Sequence, residues 1–410
     1  MSKKIKSVIT LILVAALVAC TGPGAGAPAA TPAAPTAPAT PAAPPAAAPV
    51  APEPASWAEE NLFVDRDIEE LYALALEEGH LIVYSISSRM PAVAESFMER
   101  FPGIEVEIFH LRINELIERF EREYDAGIRN ADVLHTKDQD GAIWFEFVKE
   151  GKLHNYHPAG IIDFIDPAHL EISLPFHIML NQWFFNTEAF PDGPPISSWW
   201  DVTRPEWNGR IMIRNPLACI DTLSTFAAIV KHADEMAEDY ERVFGQPITL
   251  DPGSPTAGHE FLRRLLASNP IFVTSSGEIV TGVGTPGQTN PPIGFAASSG
   301  FRRTIERGYV LHYVNITPAT GLPMANTIYV TDEAPNPNAA RLFVYWILGG
   351  TDGQGEGFVP FNTIGAWPVR SDQVPEEGST PFEDLNVWDL DVEWMYHNIH
   401  NVADFWISLL

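Results

Sequence analysis

The residues with the greatest capacity for chemistry stand directly after a short apolar run. Leu81 to Tyr84 is apolar on both alternations, and Ser85, Ser87, Ser88 and Arg89 follow it, ahead of a helical pattern that places Val93, Phe97 and Phe101 four apart. The serines therefore sit where a helix begins, beside free backbone N–H groups and the positive end of a helix dipole. There a hydroxyl either caps the helix or reaches a ligand. Capping accounts for one serine, not three. In open α/β sheets ligands bind beyond the carboxyl ends of the strands, so the turn 85–89 is the first candidate wall of a binding site, with a capped surface turn as the alternative.

Other segments offer similar groups. Ala131 to Asp138 reads as a strand ending in a polar turn, and its His135 to Asp138 segment makes Asp138 part of a second candidate wall. Asp221, Thr222 and Ser224 open a helix running through Val230, where they cap it or line the site. Trp183, Trp199, Trp200, Tyr84 and Trp367 are candidates for stacking on a flat or cationic solute, in competition with core packing. His154 and His157, like His397 and His400, are spaced three apart, which capping, solvation or packing explains as well as a metal does. No His-Glu-x-x-His, phosphate-binding Gly-rich loop or Gly-x-Ser-x-Gly motif occurs, so no catalytic signature and no cofactor is expected.

The elements that must position these groups follow from periodicity. Asp65 to Glu78 is an amphipathic helix, Ile104 to Phe109 a strand, and Ile113 to Tyr124 a second helix with Leu116, Ile117 and Phe120 on one face. Strand, helix, strand, helix, strand at short intervals implies right-handed crossovers and a parallel sheet. Phe176 to Asn186 reads as a further buried strand, Arg210 to Pro216 as the first strand of a second unit, and Trp388 to Leu410 as a closing helix packed on the first unit.

Composition narrows the function classes. The formal charge is −28, and removing Lys3, Lys4 and Lys6 with a leader segment leaves about −31, which argues against nucleic acid or an anionic membrane face as partner. The two cysteines are Cys20 and Cys219. If Cys20 carries lipid, an internal disulfide is excluded, and a cysteine-based zinc cluster is impossible.

The three leader lysines precede an apolar run, Val8 to Ala19, too short to span a bilayer comfortably, so residues 1–19 read as a signal peptide. Its end, Leu17-Val18-Ala19-Cys20, resembles the lipobox of bacterial lipoproteins, which makes Cys20 the expected site of lipidation. Residues 20–55, rich in Ala and Pro, lack the large apolar side chains of a core and read as an extended tether. Such a segment reaches on the order of 100 Å at ~3.1 Å per residue when fully extended. The remainder is long enough for two lobes.

The order Glu77-Glu-Gly-His-Leu-Ile-Val-Tyr-Ser85, Phe101-Pro-Gly-Ile-Glu-Val106, Ala131-Asp-Val133, Phe185-Asn-Thr187, Ser198-Trp-Trp-Asp-Val202 and Trp207-Asn-Gly-Arg-Ile-Met-Ile213 resembles the extracellular solute-binding proteins (family 1) of ABC importers, in the branch that holds ferric-ion- and thiamine-binding periplasmic proteins. Ala334 to Phe343 and Ile364 to Asp372 agree with it, so the likeness covers about residues 65–375. It implies an α/β, two-lobed clamp of the periplasmic-binding-protein (type II) class, crossing twice between lobes and closing on a solute in the cleft. The first lobe would comprise 56–189, the second 190–298, and the chain would return to the first over 299–410. Ser275, Ser276 and the loop 282–290 resemble cleft-facing positions. The implied function is that of a lipid-anchored, extracytoplasmic, monomeric component that captures a small polar solute, a thiamine-like cation or a phosphorylated organic compound, and delivers it to a permease and its ATPase. Ferric-binding relatives often use two adjacent tyrosines, and no Tyr-Tyr pair occurs here. That demotes bare iron, whose hard charge wants phenolate and carboxylate oxygens. A ferric-binding protein with another ligand set and a sensing lipoprotein uncoupled from transport stay as alternatives.

Overall fold

The computed structural model describes residues 56–410 apart from 352 and 354; the leader, Cys20 and the tether lie outside the described residues. The described chain opens with α1 (Trp57–Asn61), α2 (Ile68–Glu78), β1 (His80–Ser85), α3 (Met90–Arg100), β2 (Glu105–His110), α4 (Ile113–Asp125) and β3 (Val133–Thr136). Asp67 caps α2 by accepting from the Glu70 N–H, and Gly79 ends it at φ 69°, a conformation that costs glycine little. β1 pairs in parallel with β2 on one side and β3 on the other, as the alternating pattern requires. Asp132 ties these pieces together from inside: its carboxylate accepts from the N–H groups of Ile82 and Asn336.

The chain continues through β4 (Leu153–His154), α5 (Pro167–Leu170) and β5 (Pro175–Asn186), a strand of 12 residues. Then come β6 (Ile211–Arg214), α6 (Ile220–Lys231), α7 (Ala233–Phe244), α8 (Ala257–Ala267), β7 (Ile271–Val273), α9 (Ser276–Gly284), β8 (Ile293–Ala297), α10 (Arg303–Arg307), β9 (Leu311–Val314), β10 (Pro323–Thr331), α11 (Pro337–Ile347), β11 (Ala366–Pro368) and α12 (Val392–Ser408). β5 belongs to both lobes. Its first half pairs with β10 and β11, and its second half, from Asn181, pairs with β8 and β9. The strand order β2-β1-β3-β10-β5-β8-β6-β7 thus runs from one lobe into the other.

Each lobe has its own core on both faces of its part of the sheet. In the first, Leu81, Val83 and Val133 meet Phe97 and Phe343 on one face, while Tyr84, Leu134 and Phe120 pack on the other. In the second, Trp183, Trp199, Phe295 and Phe261 form an edge-to-face aromatic cluster, and α9 covers the opposite face through Ile279 and Val283.

Two boundaries differ from the sequence expectation. β9 pairs with the second half of β5, so the second lobe runs past 298 and the return to the first lobe begins only between β9 and β10. Helix α12 packs on the second lobe, because Met395, Ile399, Val402 and Trp406 join the core containing Phe226 and Phe261, and the chain therefore crosses a third time. Its amphipathic pattern shows one face to be buried but not which partner buries it. Trp199 is fully buried, and its indole N–H donates to the Ala319 carbonyl at 2.7 Å. Trp199→Ala is expected to cost about 3–5 kcal/mol, measured as a lower urea midpoint at unchanged slope.

Candidate functional site

A cleft of about 440 Å³ lies between the lobes. The first lobe contributes the β1–α3 turn (Ser87, Ser88, Arg89), Lys137 after β3 and His177 on β5; the second contributes Ser275 and Ser276 at the start of α9, and Ser299 and Arg302 after β8. Asn326 on β10 and Phe361 close the floor. Among the described residues no Asp, Glu or Tyr lines this cleft.

The turn after β1 is built from within. Ser85 is fully buried, its Oγ is 2.8 Å from His135 Nδ1, and it accepts from the Ser87 N–H; Ser87 Oγ in turn accepts from the Arg89 N–H. Two of the three serines therefore shape the turn, which leaves the Ser88 hydroxyl for the cleft. The expected open N–H groups of α3 are already used: Met90 N bonds to Ser87 O, residue 91 is a proline, and Ala92 N bonds to Arg89 O. Arg89 itself supplies the positive charge. Its guanidinium sits 5.7 Å from the Phe361 ring centre, donates to the Pro360 carbonyl at 3.4 Å, and forms no ion pair among the described residues. Burial and the nearby charge of Arg302 pull it down to about 10, so it remains cationic at neutral pH.

On the opposite wall Ser275 caps α9 by accepting from the Glu278 N–H, and the first-turn N–H of Ser276 is left for a ligand. Arg302 donates to the Ser299 carbonyl at 2.7 Å and pairs with Glu306 at 3.2 Å. Two buried side chains at the floor carry orphaned polar atoms, His177 Nδ1 and Asn326 Nδ2. Burial, then the charges of His135, Arg89 and Lys137, hold His177 well below its ordinary range, so it is neutral. The cleft is therefore a set of hydrogen-bond donors and two guanidiniums from opposite lobes; Arg302 shares its charge with Glu306, while Arg89 has no ion-pair partner among the described residues.

Lys137 and Asp221 join the lobes at one side of the cleft. Lys137 Nζ donates to Asp221 Oδ1 at 2.7 Å, Arg214 approaches the other oxygen at 3.4 Å, and Asn181 Nδ2 donates to the Asp221 carbonyl. Burial alone would raise the Asp221 carboxyl, but Lys137 and Arg214 outweigh it and hold it below the usual range.

Of the residues singled out in the sequence, Ser87, Ser88, Arg89, Ser275 and Ser276 converge on this cleft, Ser85 stands behind it and Asp221 bridges its edge. Three do not converge. Trp183 is buried in the second-lobe core against Trp199 and Phe295. Asp138 turns inward and accepts from the N–H groups of Ile143 and Trp144. Thr222 is buried, with its hydroxyl 3.4 Å from Cys219 Sγ. Trp199, Trp200, Tyr84 and Trp367 are core residues too, because each large ring buries more area in a lobe than a cleft wall offers. The loop 282–290 follows the far end of α9 and does not line the cleft. Lys137, His177, Arg302 and Asn326 escaped the sequence reading; only Lys137 carried a signal, its place in the His135 to Asp138 turn. Among the described residues no cluster of three or more His, Cys, Asp or Glu could hold a metal.

Two outcomes are expected. Asp221→Asn leaves Lys137 and Arg214 without their anion and is expected to cost about 3 kcal/mol, read from urea midpoints. Burial pushes Asp138 from the ordinary 3.8 to about 7. Its contribution is present below pH ~4 and lost as pH rises to ~7, so Asp138→Asn, which stays neutral, should gain on the wild type across that window in the same titration.

No protein-family model matches the chain, and no curated protein matches it in sequence. Solved structures do. Iron-bound HitA from Pseudomonas aeruginosa superposes with a TM-score of 0.60 at 16% identity, covering 80% of this chain and 99% of that one. AfuA from Actinobacillus pleuropneumoniae with fructose-6-phosphate bound gives 0.60 at 17% identity, over 80% and 98%. Apo ferric ion-binding protein A from Pasteurella haemolytica gives 0.61 at 15%, over 81% and 98%. With the α/β sheet continued through β5 and the cleft between its halves, the chain has the two-lobed fold of these periplasmic binding proteins.

Proposed function

We propose that this protein is a lipid-anchored, extracytoplasmic substrate-binding component of an ABC importer, and that its solute is a small organic anion, a phosphate ester or related oxyanion. The observation that carries the anionic assignment is the pair Arg89 and Arg302, presented from opposite lobes into a cleft without a lining carboxylate, in a chain whose formal charge is −28. The partly buried Arg89, without an anion among the described residues, carries a cost that a ligand's charge offsets, and Arg302 shares its charge with Glu306. A phosphoryl group accepts from a guanidinium fork, serine hydroxyls and a helix N-terminal N–H together, and the cleft offers all three. A thiamine-like cation meets the wrong charge, and bare ferric iron finds no lining carboxylate or phenolate among the described residues. That AfuA holds a sugar phosphate in the same fold accords with this assignment.

The reading is binding without catalysis. Ser85 and His135 form a hydroxyl–imidazole pair, but both are buried behind the cleft wall, where no substrate atom reaches them. The solute shifts the clamp toward closure because it touches both lobes only in the closed form. Partners are then a permease with its ATPase, and the membrane through Cys20.

A thermal-shift and calorimetric panel of phosphate esters, carboxylates, thiamine, ferric salt and ferric citrate tests this. A phosphate ester at a hundred times its dissociation constant is expected to add roughly 2.7 kcal/mol, a shift of a few degrees. Arg89→Met and Arg302→Met should each weaken it about 10- to 100-fold. Stabilisation by thiamine or ferric salt with none by any anion would remove the assignment.

A further inference from the structure

A second cavity, of about 340 Å³, meets the cationic cleft at Lys137, which lines both. Its lining is mostly apolar, although Asn114, Glu118 and Asp140 also contribute to it. Ile113, Ile117 and Ile143 form one wall on the first lobe, and Leu217, Ile220 and Leu223 face them from the second. At its edge Gln139, almost fully buried, spends Oε1 on the Ser224 hydroxyl at 3.4 Å and leaves Nε2 without a partner. These isoleucines and leucines come from different lobes, so an occupant would bury apolar area on both at once, and only when the clamp is closed. Ile143 and Ile117 also pack in the first-lobe core and Ile220 and Leu223 against that of the second, whereas Leu217 is 42% exposed.

We infer that the solute is amphiphilic: an anionic head held by Arg89, Arg302 and the α9 N-terminus, joined to an apolar chain that passes the stem of Lys137 into the cavity between α4 and the start of α6. This rests on the anion reading above and adds the class of the remainder of the molecule. Lysine suits the junction, because its methylene stem offers apolar surface while its ammonium stays paired with Asp221 at 2.7 Å. The chain would contribute to closure through burial and the head through charge, so the two halves of the ligand report on different walls.

A homologous series from methyl- to hexylphosphonate, titrated calorimetrically into the protein, reads the two separately. Affinity is expected to climb about three- to fourfold with each added methylene until the cavity is filled. Leu217→Asn and Leu223→Asn, on a partly exposed and a partly buried position, should each flatten the climb, and thermal melts identify a variant that has failed to fold. Binding of every member with the same affinity overturns the amphiphilic inference and leaves the anion site standing. Failure of the whole series, inorganic phosphate included, overturns both. A climb that both variants leave untouched places the chain elsewhere and also defeats the proposal.

Discussion

The structure depends on one strand satisfying two sheets. Backbone N–H and C=O groups buried in a sheet must be paired, and β5 pairs its first six residues within one lobe and its last six within the other. Neither lobe can be completed without it, and neither can move far from it. The junction at Leu180 and Asn181 is closely held: Ser298 Oγ accepts from the Leu180 N–H and donates to the Gly365 carbonyl, while a Cβ on residue 321 would lie 2.4 Å from the Asn181 carbonyl. Glycine is required at 321 by that approach. In two-lobed proteins that close by rotation, a few residues at such a crossing absorb the change, and a strand shared in this way is compatible with it.

The shared strand brings cationic residues of both lobes to one cleft. An acidic protein keeps Arg89, Arg302 and Lys137 at one cleft; Lys137 is answered by Asp221 and Arg302 by Glu306, which leaves Arg89 without an ion pair among the described residues. The Lys137–Asp221 contact crosses the lobes and holds them together, whereas Arg89 and Arg302, like charges from opposite lobes, repel. An anion between the guanidiniums converts that opposition into attraction. Only such differential contact moves a conformational equilibrium, which is the basis on which an anion is proposed as the solute.

The third crossing has a physical consequence as well. By returning to the second lobe, α12 covers Phe226 with Trp406, and it also touches the first lobe, where Tyr396 stacks on Phe145 at 4.5 Å and donates to Glu146. The helix thus contacts both lobes beside the strand crossings, on a surface that hinge motion must slide or break.

The chain itself determined the local elements and the nearer wall of the site. Apolar runs flanked by serines, capped helices and the alternation of strand and helix made β1 to β3, α2, α4 and the 85–89 turn legible, because each is set by spacing within about a dozen residues. Burial preference, by contrast, is the same for a ring in a core and a ring at a cleft, so Trp183 read as a ligand platform when it is a core residue. Asp138 misread for a similar reason: a carboxylate aimed at its own following turn has the same sequence as one aimed at a solute. Tertiary structure alone decided that Arg302 would face Arg89, that Lys137 would find Asp221, that β9 and α12 would join the second lobe, and that His177 and Asn326 would reach the cleft with unpaired atoms. Those relations link residues far apart in sequence. They are fixed by how two sheets share one strand, which no local pattern encodes.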